Sequence, residues 1–385
     1  MEGNSAVQTI IWAPQGYQSD LTRETDLPGS VAGTQGTHVR RKASLAQTVA
    51  EASERLRGGE LVAFPTETVY GLGGAALQEG AVRAIFAAKR RPVDNPLIAH
   101  VASREQVAQV SDEVSPLAAR LMDAFWPGPL SILLPAISHL PVALTAGLPT
   151  VAVRMPSHPV ALALIAATGQ PLAAPSANLS GRPSPTTAAH VLEDLQGVIA
   201  GVLDGGSREV GIESTVVTVE DGQIMILRPG LITREQLLVF SQHVVWDPHL
   251  LAHSEAEQPR APGQKYVHYA PRGEVMLISG KDRQSVHLQM RERAQATMAR
   301  GLRTALFVLA PAPQLSEVAV TLRVQLGAVN DPATVTRQLY AALRAADEAQ
   351  CEVIIAEYPP DDKDYHALRN RMLKAAGGSV VNVSE

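Results

Sequence analysis

The chain has a single cysteine, Cys351, so no disulfide can form within it, and that usage fits a reducing cytoplasm. Aromatics make up only 4% of the residues, which leaves Ala, Val, Leu and Ile to fill any core. No run of about 18 apolar residues occurs, so no membrane-spanning helix is expected, and no charged-then-apolar leader opens the chain. Cations are not in excess. Lys plus Arg number 33 against 38 Asp plus Glu, a net charge of −5. This argues against a surface that binds nucleic acid throughout, while leaving room for a local basic groove. Several motifs are missing too: there is no G-x-x-x-x-G-K-[ST], no H-E-x-x-H, no G-x-S-x-G and no C-x-x-C pair.

What is present is a globular composition, 45% hydrophobic and 18% charged, over 385 residues, a length that calls for two domains. Residues 1–42 are rich in Gly, Gln, Thr and Ser and read as a mobile extension, with a short ordered piece at Thr9–Trp12. Ser44 is placed to cap a helix that stops at Gly58-Gly59. From there to about residue 245, strands and helices mix without a regular βαβ rhythm, which predicts a twisted-sheet α/β domain. Residues 246–272 lose periodicity and read as a linker. Residues 273–385 then alternate strand and helix regularly, predicting a smaller Rossmann-like parallel sheet. Its first turn lacks G-x-G-x-x-G, which argues against dinucleotide binding there.

The most informative stretch runs from Gly58 to His100. A short strand at Leu61–Phe64 stops at Pro65, a loop of small and hydroxyl residues follows, and a helix with Val82, Ile85 and Phe86 on one face ends in Lys89-Arg90-Arg91-Pro92. Strand, hydroxyl loop and cationic helix end together point to a phosphate-bearing ligand. The plainer reading is that these cations complement the helix dipole and stay solvated. Further polar signatures follow at strand ends: Asp94-Asn95-Pro96, Thr145 to Arg154, Ala174-Pro175-Ser176-Ala177-Asn178, Gly211-Ile212-Glu213-Ser214-Thr215, Leu227-Arg228-Pro229-Gly230, and Ala261 to Pro271 in the linker.

In that order these signatures resemble the L-threonylcarbamoyladenylate synthases, the YrdC-like family, in the long form with an extra C-terminal domain. The resemblance is dense over about residues 43–272 and weaker beyond, with Asn370–Ala376 the most family-like piece there. It implies that L-threonine, bicarbonate or CO2 and ATP are joined into threonylcarbamoyl-AMP with release of pyrophosphate, for threonylcarbamoyladenosine modification of tRNA. By resemblance, Lys89 and Arg91 grip the triphosphate and act in catalysis with Ser176 and Asn178, which bond phosphate or a Mg2+ held by it. Thr150, Ser184, Arg228 and Tyr269 match further ATP contacts. Thr66, His100, Arg154, Ala174 and Ser214 match contacts to threonine, with Arg154 as the carboxylate clamp. No side-chain metal site is implied. The resemblance also makes the linker a lid over the active site, and the tRNA threonylcarbamoyl-transfer machinery a partner, with no membrane and no stable nucleic-acid binding. Each residue has a structural reading as well: His100 after an apolar run suits a hydrogen-bonded core histidine, and Glu67 and Glu213 suit loop bracing as well as ligand contact.

Two other functions stay open on the residues alone. One is a module for double-stranded RNA or tRNA, using Lys89, Arg90, Arg91, Arg154, Arg182 and Arg228. Against it, these cations are interleaved with Ser, Thr and Asn, which suits a small ligand better. The other is carbamoyl transfer from carbamoyl phosphate, which calls for zinc-binding segments that one cysteine does not support.

Overall fold

The structure, a computed structural model, describes residues 7–17, 19, 21, 38–250, 259–262 and 268–383. The chain divides into two compact units, the second beginning in the main at Tyr266 and including the short segments Gly181–Pro183 and Val210–Ile212. The linker positions Lys265 and Tyr266 lie outside the described residues.

The first unit is built on a large, twisted 12-stranded sheet. Its strands are β1 (Thr9–Pro14), β2 (His38–Ala43), β3 (Val62–Pro65), β4 (Tyr70–Ala75), β5 (Ile98–His100), β6 (Leu130–Pro135), β7 (Thr150–Arg154), β8 (Leu172–Ala173), β9 (Gly201–Leu203), β10 (Thr215–Glu220), β11 (Gln223–Arg228) and β12 (Val244–Trp246). They lie in the order β12-β11-β10-β6-β7-β5-β8-β4-β3-β9-β1-β2, with parallel and antiparallel pairs mixed. Strand alternation sends successive side chains to opposite faces. In β1, Ile10 and Trp12 join one core with Val62 and Phe64 of β3, whereas Ile11 joins the other with Ala63.

Helices cover both faces. The first, α1 (Leu45–Arg57), starts at the predicted Ser44, whose side chain forms a capping box with Gln47. The second, α2 (Glu79–Lys89), ends with Arg90 in the left-handed region at φ 53°, which turns the chain sharply after Lys89. Helix α3 (Pro116–Phe125) and the single turn α4 (Val142–Thr145) follow. Helix α5 (Pro159–Thr168) runs between a proline at its first turn and Gly169 at φ 78°, a local start and a local stop. Helices α6 (Ala188–Leu195) and α7 (Arg234–Leu238) complete the unit.

The N-terminal stretch corrects one expectation. Residues 1–42 read as mobile, yet Thr9–Pro14 and His38–Ala43 are paired strands, parallel to each other, and β1 is also parallel to β9. Ile11 and Trp12 are almost fully buried. The stretch is held by a partner 190 residues away, so local composition carried no trace of it. The linker is likewise partly structured: its first residue, Trp246, ends β12, and Ala261 is buried against Ile98, Leu133, Val216 and Leu227.

The second unit has a fully parallel five-stranded sheet, as its alternating pattern predicts. Its strands β13 (Glu274–Ser279), β14 (Thr304–Ala310), β15 (Leu322–Ala328), β16 (Val353–Glu357) and β17 (Val380–Asn382) lie in the order β15-β14-β16-β13-β17. They are joined through α8 (Arg283–Ala299), α9 (Pro332–Glu348) and α10 (His366–Ala375). No helix among the described residues is long and apolar enough to cross a membrane.

Candidate active site

Three clusters in the first unit collect most of the residues singled out in the sequence. In the first, Lys89 is buried at the end of α2, and its ammonium donates to the carbonyls of Ser176 and Asn178. The Ser176 hydroxyl donates to Asn178 Oδ1 at 2.6 Å, and Ser180 N donates back to the Lys89 carbonyl at 2.9 Å. The segment is held against β4 through Leu72 N to Pro175 O and Ala177 N to Tyr70 O, both 2.8 Å. Residues 87 and 89 apart in sequence are thus fixed around one cation.

Arg91 lies just beyond. Its Nε and Nη2 each donate at 3.3 Å to the carbonyls of Asn95 and Pro96, folding the Arg91–Pro96 loop on itself. Asn95 is 1% exposed, yet among the described residues neither its Oδ1 nor its Nδ2 has a hydrogen-bond partner. Burying an unsatisfied amide is costly, and such groups occur where something else completes them. Sequence reading noted Asn95 within a signature but gave it no role.

The second cluster centres on Arg154 at the end of β7. Its Nε donates to Gly128 O at 3.2 Å, and its Nη2 to Glu67 Oε1 at 2.6 Å and Thr68 Oγ1 at 3.1 Å. Nη1 has no partner among the described residues. Glu67 also accepts from Ser157 N, so it braces the loop and neutralises Arg154 at once. The Thr66 hydroxyl closes its own turn, accepting from Thr68 N and Val69 N and donating to Val69 O. Thr150 lies on the same face of β7 as Arg154 but at the other end, opposite Pro135. That is about 13 Å along the strand at the usual rise.

In the third cluster Arg228, buried at the end of β11, donates from Nε to Ser214 O, from Nη2 to Ser214 Oγ and from Nη1 to Pro262 O, all at 3.1–3.2 Å. Ser131 Oγ lies 2.8 Å from Ser214 Oγ, a contact the sequence did not signal. Ser184 donates to Glu213 Oε1 at 2.6 Å. Ala174 is buried, its N–H on Ile98 O at 3.0 Å.

His100 pairs with Arg154 across β5 and β7 and packs edge-on against Phe64. Burial, then the cations of Arg154 and Arg228, push its pKa down to about 3, so the ring is neutral at any ordinary pH. Tyr269 belongs to the second unit, where it is buried, stacked on Tyr340 and covered by the Arg371 guanidinium 5.6 Å from its ring centre.

The RNA-groove alternative does not suit this geometry. Arg154 is buried against Glu67, Arg228 is buried, and Arg182 pairs with Asp347, whereas a phosphate backbone needs exposed cations. Among the described residues no group of three or more His, Cys, Asp or Glu is placed to hold a metal ion.

Comparison with known proteins agrees with the architecture. The Sua5–YciO–YrdC family, described as telomere recombination, matches residues 54–230, and the threonylcarbamoyl-AMP synthase C-terminal domain matches residues 232–377. The chain is 44% identical to the threonylcarbamoyl-AMP synthase of Bacillus subtilis, over 86% of this chain and 94% of that one. It is 41% identical to that of Pyrococcus abyssi, over 85% and 94%. The crystal structure of P. abyssi Sua5 complexed with L-threonine matches at a TM-score of 0.82 with 39% identity, covering 88% of this chain and 97% of that one.

Proposed function

The chain belongs to the threonylcarbamoyl-AMP synthase family, and from that premise we propose how its residues carry out the reaction. The activity is nucleotidyl transfer: L-threonine, bicarbonate or CO2 and ATP give L-threonylcarbamoyladenylate and pyrophosphate, for threonylcarbamoyladenosine in tRNA. The neutral threonine amine adds to CO2 and loses a proton to water, forming a carbamate. A carbamate oxygen then attacks the α-phosphorus in line, and the bond to the bridging oxygen breaks as pyrophosphate leaves with the electron pair. Negative charge gathers on the phosphoryl oxygens, so fixed cations and donors supply most of the acceleration.

In this reading Arg154 offers Nη1 to the threonine carboxylate while Gly128, Glu67 and Thr68 hold the rest of the guanidinium. Thr66, Ala174 and Ser214 surround the rest of the amino acid. Lys89 and Arg91 face the triphosphate, with Thr150, Ser184 and Arg228 as further nucleotide contacts. Asn95 joins them, its amide completed by a substrate oxygen. His100, with a pKa of about 3, is too weak a base to take the ammonium proton and serves as a neutral wall. Ser176 Oγ and Asn178 Oδ1, 2.6 Å apart, are hard oxygen donors that suit a Mg2+ shared with the phosphates. Such an ion would supply charge neutralisation on the leaving pyrophosphate.

The observation that carries this assignment of roles is Asn95, a buried amide without partners among the described residues, beside Arg91. We place the protein in the cytoplasm, handing its labile product to the tRNA threonylcarbamoyl-transfer machinery. The test is pyrophosphate release with ATP, threonine, bicarbonate and Mg2+ omitted one at a time. Turnover that survives omission of threonine would overturn the reading.

A further inference from the structure

Arg208 has no place in the scheme above, and its surroundings are unusual. It is 4% exposed, and every partner of its guanidinium is a backbone carbonyl: Nε donates to Gly206 O at 3.0 Å, Nη1 to Thr66 O at 3.1 Å, and Nη2 to Gly205 O and Gly206 O. Among the described residues no carboxylate pairs with it. Its plane lies over the Tyr70 ring at 5.0 Å, and the Tyr70 hydroxyl donates to Gly206 O and accepts from Gly205 N. A buried cation without a counter-ion is expensive and persists where it holds something that would otherwise move.

What it holds is the turn from Thr66 to Val69. That turn is gripped from two sides. Arg154 takes the side chains of Glu67 and Thr68, and Arg208 takes the Thr66 carbonyl. The Thr66 hydroxyl is left to close the turn internally, so its direction follows from where the carbonyl is pinned. Arg208 is itself anchored to the sheet. Its N–H donates to Thr186 O, and the neighbouring Asp204 donates from N to Trp12 O of β1 at 2.8 Å while accepting from Ser19. A chain of contacts therefore runs from β1 through the Asp204–Arg208 loop to the Thr66 turn.

We propose that Arg208 is a positioning residue that fixes the Thr66 turn and so sets affinity and selectivity for the amino-acid substrate, without touching substrate or ATP. The proposal rests on the reading that Thr66 contacts threonine. None of the Arg208 hydrogen bonds ends on Lys89, Ser176 or Asn178, so the main effect is expected on threonine and not on ATP.

The experiment compares Arg208→Gln and Arg208→Lys with the full-length wild type in pyrophosphate release, titrating threonine, serine and ATP separately. For Arg208→Gln the expected result is a rise of about tenfold or more in KM for threonine, with KM for ATP within about twofold. Preference for threonine over serine should fall, and Arg208→Lys, which keeps the charge but not the fork, should lie between. An unchanged KM for threonine, or equal rises in both KM values alongside a lower Tm, overturns the proposal in favour of a merely structural role. Where Arg208→Gln fails to fold, Tyr70→Phe decides. It keeps the ring under the guanidinium but removes the hydroxyl's bonds to Gly205 and Gly206, and should shift KM for threonine in the same direction and leave that for ATP. No shift in Tyr70→Phe would equally overturn it. Threonine-independent turnover of the wild type would instead sink the assignment of Thr66 and leave Arg208 without a substrate to act on.

Discussion

Glu67 Oε1 lies 2.6 Å from Arg154 Nη2, with both side chains over nine-tenths buried, so the cation proposed to meet the substrate carboxylate already carries a counter-charge within the protein. Removing one partner of a buried pair leaves an uncompensated charge, at a cost of about 3–5 kcal/mol. Glu67→Ala should therefore lower stability by about that much in denaturant unfolding. Glu67→Gln keeps the shape while removing the competing negative charge, so it should lower KM for threonine even as Tm drops. Arg154→Ala should raise KM for threonine by about tenfold or more, in keeping with the loss of a charge-assisted hydrogen bond. A Glu67→Gln variant whose KM rises instead would show that Glu67 itself contacts threonine favourably.

Asn95 offers a sharper separation of stability from activity. Its amide is buried and unsatisfied, so Asn95→Leu, of similar volume, removes a polar burial cost from the free enzyme. Tm should stay level or rise, while KM for ATP rises by about tenfold or more, since the substrate loses its partner. Thermal melts beside steady-state kinetics on one preparation check both. A fall in Tm with unchanged KM would mark Asn95 as a structural residue.

Trp12 ties the N-terminal stretch to the fold. It is 1% exposed, its indole donates to Glu51 at 3.0 Å, and it packs where a Cβ on Gly201 would lie 2.3 Å from its ring. Trp12→Ala should cost about 3–5 kcal/mol, the range for deleting a buried aromatic. Removal of residues 1–40 should lower the midpoint of urea unfolding clearly, since it takes away β1 and half of β2 and strips β9 of one neighbour.

The same pairing marks the limit of what the sequence makes legible. The piece Thr9–Trp12 was visible as a β-branched, aromatic run, but its partner Gly201–Leu203 was not, because strand pairing over 190 residues leaves no local signal. Helix ends were legible because caps are local: Ser44 with Gln47, and Gly169 at φ 78°, are chemistry within a few residues. Lys89 and the Ser176-Asn178 pair could be named from their signatures. That the Lys89 ammonium rests on their backbone carbonyls, and not on their side chains, needs the β4–β8 pairing that brings them together. Arg208 escaped altogether, since nothing in Gly205-Gly206-Ser207-Arg208 distinguishes a surface arginine from one buried on three carbonyls.

His100 makes a pH prediction whose sign follows from burial. Its folded pKa of about 3 lies below the ordinary value of 6.5, so between those limits the unfolded chain binds a proton that the folded chain does not. The stability this contributes is fully present above pH 6.5 and is lost as pH falls toward 3. His100→Gln should flatten that acid loss when urea midpoints are compared from pH 7 to pH 4. The pH–rate profile should keep its limbs in the variant, because a ring neutral throughout contributes none. A limb near pH 6–7 that vanishes in His100→Gln would show that the ring titrates in the working enzyme.

Arg228 links Ser214 and the linker within the first unit, donating to Ser214 at Nε and Nη2 and to Pro262 O at Nη1. Two residues before that carbonyl stands Arg260, paired with Glu220, and between them Ala261 is fully buried against Ile98, Leu133, Val216 and Leu227. The bond after Arg260 is therefore a trypsin site whose next residue must leave the core before it can be cut. Opening of this kind is set by the free energy of the local contacts, and cleavage tracks the open population when reclosing is fast. A hydrogen bond from a charged donor contributes about 1.5–3 kcal/mol, so Arg228→Ala should speed the cut after Arg260 by about tenfold or more. Arg228→Lys, which reaches one acceptor at most, should fall between wild type and Ala. The fragments can be followed by mass spectrometry at low trypsin, with a distant site such as Arg303 as the internal clock. If cleavage after Arg260 keeps the wild-type rate in Arg228→Ala, then Ala261 alone holds this part of the linker and the Arg228–Pro262 bond contributes nothing to it.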